Sequence, residues 1–189
     1  MTKSILLVGV GGQGTILASK LLTIGLMYAG YDVKMCEIHG MSQRGGSVSS
    51  QVRYGKKVYS PVIEIGSADV LVSFEKMETL RWLEYLKPQG KIIVNNYRID
   101  SIQVLTGKEI YYEKEIEEEL NRLNATMINT EDKVRDLGNT KVMNIILLGA
   151  LIKSMKLENI DWETIIKNNI KQEFIDINLK ALKKGMEMI

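Results

Sequence analysis

SILLVGVGGQG, residues 4–14, is the stretch on which the reading of this chain turns. Its first half is a short unbroken apolar run, which suits a strand buried on both faces. The run breaks directly into Gly9, Gly11 and Gly14, spaced G-x-G-x-x-G, with Gly12 between them. The next segment, TILASKLLTIGLMYAG, places Ile16, Leu17, Leu21, Leu22, Ile24 and Met27 on one broad helix face, and Gly30 is its natural stop. YDVKMCEI at 31–38 reads as a second strand. Strand, glycine turn, helix and strand make a βαβ unit, whose crossover is expected to be right-handed.

Outward from this unit the pattern stays mixed. SVSSQVRYG at 47–55 alternates Val48, Ser50, Val52 and Tyr54 against Ser49, Gln51 and Arg53. With GKKVYSP behind it, this predicts an antiparallel hairpin turning at Gly55-Lys56, its second arm kept to an edge by Pro61. ADVLVSF at 68–74 and KIIVNN at 91–96 predict strands. EKMETLRWLEYL between them predicts a helix closed by Pro88 and Gly90. A helix at 114–123 and a strand at 125–129 follow. The last third is helical: NTKVMNIILLGALIKSM is apolar nearly all round and belongs in the core or at a subunit contact. Asn139 and Asp161 are N-cap residues, and Ile175, Leu179, Leu182, Met186 and Ile189 form one stripe. The expected fold is α/β: a single Rossmann-like domain over 1–189 with a mostly parallel sheet, an added β-hairpin and a helical C-terminal third.

Composition narrows the function classes. With 25 basic against 23 acidic residues the net charge is +2, so no global field argues for nucleic acid or a membrane surface. The chain has one cysteine, Cys36, and one histidine, His39. A tetrahedral zinc site or a cysteine-held iron–sulfur cluster needs several such ligands, so no metal site is expected. The longest later apolar run, IILLGALI, is far short of the roughly 20 residues of a membrane span. The N-terminal run is too short for a secretory leader. A cytoplasmic protein is expected. Cys36 reads as a small buried hydrophobe, Trp82 and Trp162 as packing residues, and the ten methionines as an adaptable surface for a partner. Asn144, inside the apolar helix, needs a buried partner.

Two segments carry chemistry. The glycine turn has the form of an anion site: Gly9, Gly11, Gly12 and Gly14 let backbone approach a phosphate, helix amides point at it, and Gln13 adds an amide at the helix mouth. Glu37 stands where a ribose-binding acid is expected, roughly 20 residues on. A dinucleotide site competes here with a phosphate or interface turn, and nothing downstream supplies hydride-transfer chemistry. The second segment is HGMSQRGGSV, 39–48. Gly45 and Gly46 can expose successive N–H donors, Arg44 offers a bidentate guanidinium, and Ser42, Gln43 and Ser47 add polar groups. Both loops should face the carboxyl rim of the sheet, where α/β folds place ligands. Against this stands the plainer reading, in which Arg44 is an ion-pair residue and the glycines only form turns. His39 is more simply a structural imidazole than a base.

GVGGQG at 9–14 together with EIHGMSQRGGSV at 37–48 resembles the small subunit of the 2-oxoacid:acceptor oxidoreductases, the gamma-type domain of pyruvate ferredoxin oxidoreductase. The resemblance continues through 52–74, 92–96, 136–151 and 178–185. HGM before SQRGG is most similar to the indolepyruvate:ferredoxin oxidoreductase branch, whose beta subunit this chain resembles. The resemblance implies coenzyme A-dependent oxidative decarboxylation of an arylpyruvate to an arylacetyl-CoA, carbon dioxide and reduced ferredoxin. It puts thiamine diphosphate, magnesium and the iron–sulfur clusters on a large alpha subunit, with coenzyme A as co-substrate and no cofactor tightly held by this chain. This chain is then an enzyme subunit inactive alone, reaching ferredoxin through the complex and able to form a homodimer when isolated. Its 9–14 turn and the loop with His39, Met41, Ser42, Gln43, Arg44, Gly45, Gly46 and Ser47 then meet coenzyme A, the substrate or the partner; no residue is assigned as catalytic. Two other classes remain open: a stand-alone dinucleotide-binding oxidoreductase or sensor, and a non-catalytic scaffold subunit.

Overall fold

Seven of the eight residues of β1 (Lys3–Val10) are buried, as an apolar run without alternation requires. The computed structural model that shows this describes residues 2–39, 45–100 and 102–189. The strands are β1, β2 (Asp32–His39), β3 (Ser47–Gly55), β4 (Ala68–Ser73), β5 (Leu86–Asn95) and β6 (Thr126–Ile128), and they form a sheet in the order β2-β3-β1-β4-β5-β6. β1, β4, β5 and β6 pair in parallel. β3 runs antiparallel to both of its neighbours, with Leu7 opposite Ser50 and Glu37 opposite Ser50 on the other side. The sheet is mixed, with five strands pointing one way.

The first βαβ reading holds with one change. α1 (Thr15–Tyr28) follows the glycine turn and ends at Gly30, whose φ is 84°. β2 then returns parallel to β1 in direction, but β3 is inserted between them. The expected hairpin at Gly55-Lys56 is corrected by the same observation. β3 already has a strand on each edge, so residues 56–67 have no ladder to join and form no strand. They lie instead as a strap held by side chains: Arg53 donates to the carbonyls of Ser60 and Val62, and Ile63 N–H donates to Gln51 Oε1 at 2.6 Å. The hairpin of this fold is β2–β3, and the polar loop 40–46 is its connection.

One face of the sheet is covered by α1, α5 (Thr130–Leu137), α6 (Met143–Ser154), α7 (Trp162–Asn169) and α8 (Ile175–Met186). Leu21, Leu22, Val72, Ile146, Leu147, Trp162 and Leu182 belong to that core. The apolar α6 lies inside it, every residue from Asn144 to Ile152 being buried. The other face carries α2 (Lys76–Arg81) and α4 (Glu113–Arg122), with α3 (Ile102–Leu105) beside them in the chain. Ile116 and Leu120 pack there on Ile92 and Val94, while Ile63 of the strap meets Leu6, Val8 and Leu71. The helix expected over 75–86 is cut short at Arg81, followed by a 3-10 turn at Leu83–Tyr85, and β5 begins at Leu86 with Pro88 inside it. A register shift beside Ala68/Val70 absorbs the proline. α5 was not legible as a helix, because its eight residues, TEDKVRDL, carry only two apolar side chains. Asp161 caps α7 by accepting from Thr164 N–H, and Asn139 accepts from Lys141 N–H, both as expected. Cys36 is half-buried rather than enclosed, since β2 is an edge strand. No described helix is long and apolar enough to cross a membrane.

Candidate functional site

The carboxyl ends of β1, β2, β4 and β5 and the start of β3 share one rim, because β3 alone runs the other way. The glycine turn closes on this rim as a left-handed corner. Gly14, at φ 82°, is the N-cap of α1 and no side chain caps the helix. The first-turn amides, which have no acceptor within the helix, are therefore left toward the rim. A cavity of about 330 Å³ opens beside them, lined by Gly11, Gly12, Gly14, Thr15, Glu37 and Ser50 among others. Its volume suits one end of a ligand rather than a whole nucleotide cofactor. Glu37 does line this cavity, yet it sits on an edge strand separated from β1 by β3, one strand further out than an adjacent second strand would place it.

Gln13 is used differently from the expectation. Its Oε1 accepts from Val10 N–H at 2.7 Å and its Nε2 donates to the Phe74 carbonyl at 2.7 Å, so both ends of the amide are spent inside. It ties the turn to the end of β4 and offers no free amide at the helix mouth. Gly9 fits closely beneath it, as a Cβ there would come within 2.8 Å of Gln13 Oε1 and 2.9 Å of Phe74 Cβ.

The second loop meets the first directly. Gly11 N–H donates to the Gly46 carbonyl at 2.8 Å, and Gly45 N–H donates to the Gly11 carbonyl at 3.3 Å. Ser47 opens β3 and its hydroxyl donates to Glu78 Oε2 while accepting from Trp82 Nε1 at 3.1 Å. Trp82 is therefore more than a packing residue. His39 ends β2 opposite Val48. Gly40 and the site residues Met41, Ser42, Gln43 and Arg44 lie outside the described residues. The structure thus brings 9–14 and 45–47 together.

Pattern reading missed the buried polar groups behind this rim. Glu75 caps α2 by accepting from Glu78 N–H at 3.0 Å and also accepts from Tyr111 Oη at 2.6 Å, at 1% exposure. Burial pushes the carboxyls of Glu75 and Glu78 above the usual range, and burial together with the Glu75 bond pushes the Tyr111 hydroxyl up. Lys76 is equally enclosed; burial works against its charge, but hydrogen bonds to Glu113 and Glu117, both at 2.7 Å, carry its pKa upward. The E-x-x-E spacing of Glu75 and Glu78 after an apolar strand was the only local sign of the cap. Tyr111 lies 36 residues from Glu75, beyond any local pattern. Among the described residues no group of three His, Cys, Asp or Glu side chains is placed to hold a metal.

A further knot fixes the rim from the β5 side. Asn95, fully buried, accepts from Thr130 Oγ1 at 2.7 Å and donates to the Phe74 carbonyl at 3.3 Å, the same oxygen that receives Gln13. Asn95→Ala leaves Thr130 without its acceptor and opens a void. The expected cost is about 2 kcal/mol in urea unfolding of the isolated chain, and a loss near zero would show that the knot is dispensable.

The comparisons with known proteins agree with this architecture. The family model for pyruvate ferredoxin/flavodoxin oxidoreductase matches residues 4–188. Indolepyruvate oxidoreductase subunit IorB of Pyrococcus horikoshii is 36% identical over 193 residues, covering 97% of this chain and 94% of that protein. The gamma subunit of a keto/oxoacid ferredoxin oxidoreductase from Geobacter sulfurreducens shares the fold, with a TM-score of 0.71 at 22% identity over 98% of this chain and 97% of that one. In a 2-oxoglutarate:ferredoxin oxidoreductase from Magnetococcus marinus, solved with 2-oxoglutarate, coenzyme A and succinyl-CoA bound, the same fold recurs with a TM-score of 0.73 at 20% identity, covering 99% of this chain and 31% of that longer one. A match from the first strand to the last helix, on a sheet whose rim joins both glycine loops, makes this chain a member of the pyruvate ferredoxin/flavodoxin oxidoreductase family.

Proposed function

We propose that this chain, as one domain over 1–189, is the small subunit of a cytoplasmic 2-oxoacid:ferredoxin oxidoreductase, with indolepyruvate or a related arylpyruvate as substrate. The reaction joins the acyl group of the 2-oxoacid to coenzyme A, releases carbon dioxide and passes the electrons to ferredoxin. The relatives that match along nearly their whole length, and that are named as indolepyruvate oxidoreductase subunits, support the substrate class. The chain's own residues do not fit the redox groups. With a single cysteine it cannot hold a cluster; the family resemblance implies that clusters, thiamine diphosphate and magnesium are on a large alpha subunit, which leaves this chain inactive alone.

The observation that carries the reading is the joining of the two glycine loops at one cavity beside the open end of α1. Backbone amides and a helix N-terminus suit a phosphate, and Glu37, which lines the same cavity, suits a hydroxyl or amino donor. One end of coenzyme A offers both kinds of group. Gly12, Gly14 and the first turn of α1 hold it there, and Arg44 is assigned to it or to the substrate carboxylate, so the chain binds and orients while the partner carries the reacting centre.

Arg44→Ala in the reconstituted complex tests this. Loss of a bidentate charged contact should raise KM for coenzyme A or for the 2-oxoacid roughly thirtyfold, with assembly intact. Unchanged kinetics in an assembled complex would remove Arg44 from the ligand and return the loop to scaffolding.

A further inference from the structure

We propose that Glu78 is a positioning residue for this rim: through Ser47 and Trp82 it fixes the wall that the start of β3 presents to the ligand cavity. The inference rests on the reading of the rim as a ligand site, and adds a residue to it that lies outside both glycine motifs.

Glu78 is on α2, 31 residues from Ser47 in sequence, and is 2% exposed. Its Oε2 receives the Ser47 hydroxyl proton, and Trp82 Nε1 takes a lone pair on the same hydroxyl at 3.1 Å. Both polarities of Ser47 are thereby committed, and the hydroxyl has no rotational choice left. Glu78 is held in turn from behind, since Glu75 accepts from its amide and Tyr111 donates to Glu75. Among the described residues the cation paired with it is Arg81, whose Nε is 3.6 Å from Oε1 and whose Nη2 is bonded to Glu109 at 2.6 Å. A buried carboxylate is an expensive way to glue a strand to a helix, and an apolar pair would serve stability better. What it supplies is a strong, directional acceptor.

The place it fixes adjoins the cavity. Val48, Ser49 and Ser50, directly after Ser47, line the cavity together with Gly11 and Gly12. Gly45 and Gly46, directly before Ser47, are bonded to Gly11. Ser47 is thus the point where α2 is joined to the strand that lines the cavity.

The test uses Glu78→Ala, Glu78→Gln, Ser47→Ala and the Glu78→Ala/Ser47→Ala double variant in the assembled complex, beside Arg44→Ala. KM for coenzyme A should rise roughly tenfold in Glu78→Ala and in Ser47→Ala, while kcat stays within about twofold. The double variant should be no worse than either single one, because one clamp is broken twice. Glu78→Gln should recover part of the loss, since its amide oxygen still accepts. In the full chain alone, amide exchange at Gly11 and Gly45 should quicken in Glu78→Ala and Ser47→Ala. If Glu78→Ala fails to fold, Ser47→Ala, which removes one oxygen, reads the same clamp. Unchanged exchange overturns the clamp, and faster exchange with unchanged KM overturns its role at the site. If Arg44→Ala raises KM and the clamp variants do not, only this inference falls; if none of them moves KM, the ligand reading of the rim falls as well.

Discussion

Gly185→Ala is expected to cost about 3 kcal/mol of stability, at the upper end of what one added methyl group does to a packed core. A Cβ at Gly185 would stand 1.9 Å from the Ile146 carbonyl oxygen and within 3.0 Å of Ile146 Cα. On the facing helix a Cβ at Gly149 would meet the Leu182 carbonyl at 2.2 Å. α6 and α8 therefore cross with backbone against backbone, and no rotamer change can relieve the clash. One helix has to move away, and α6 has nowhere to go because residues 144–152 are buried on every side. Urea unfolding of the isolated chain should show a lower midpoint at unchanged slope. A loss under about 1 kcal/mol would mean that the helices slide apart freely and that the close crossing is unimportant.

That crossing marks where local reading stops. The all-apolar character of α6 left two places for it, core or subunit contact, and the burial of its whole middle decides for the core. What makes it fit is a pair of glycines 36 residues apart, and no periodicity connects them. β1, the glycine turn and α1 were legible because strand, corner and helix are contiguous and each residue's role is set by its neighbours. β3 was legible as a strand but not in its pairing. Gly55-Lys56 has the look of a hairpin turn, whereas the partner taken is β2, across a loop of polar residues that reads as a binding segment. Both descriptions of that loop are physically compatible, since a hairpin connection lies at the carboxyl rim, but the expected free donor at Gly45 is spent on the Gly11 carbonyl. At the site, Gly9, Gly11 and Gly14 showed in the sequence, while the buried acids behind them did not. Glu75 and Glu78 sit on a short helix of mixed composition, and their partners Tyr111 and Ser47 come from 36 and 31 residues away.

Gly14→Ala should disturb fold and function together, costing about 3 kcal/mol from two sources that can be separated. The first is backbone: φ at Gly14 is 82°, and an L-residue held there costs on the order of 1–2 kcal/mol. The second is contact, because a Cβ would fall 2.6 Å from Asn144 Nδ2. Asn144 has little room to yield, being 4% exposed and already donating to the Gly14 carbonyl at 3.2 Å. This answers the expectation that an asparagine in an apolar helix needs a partner: α6 is fastened to the N-terminus of α1, directly under the cavity. A double-mutant cycle with Asn144→Ala separates the terms. The double variant should regain the contact part and keep the backbone part, so its loss should be smaller than the sum of the single losses. Strict additivity would mean that Asn144 does not oppose the new methyl group, and that α6 does not hold the corner on which the first-turn amides depend. In the assembled complex Gly14→Ala should also raise KM for coenzyme A, since a shifted corner turns those amides away from the cavity; the double variant, which still carries the backbone strain, should recover that loss only in part.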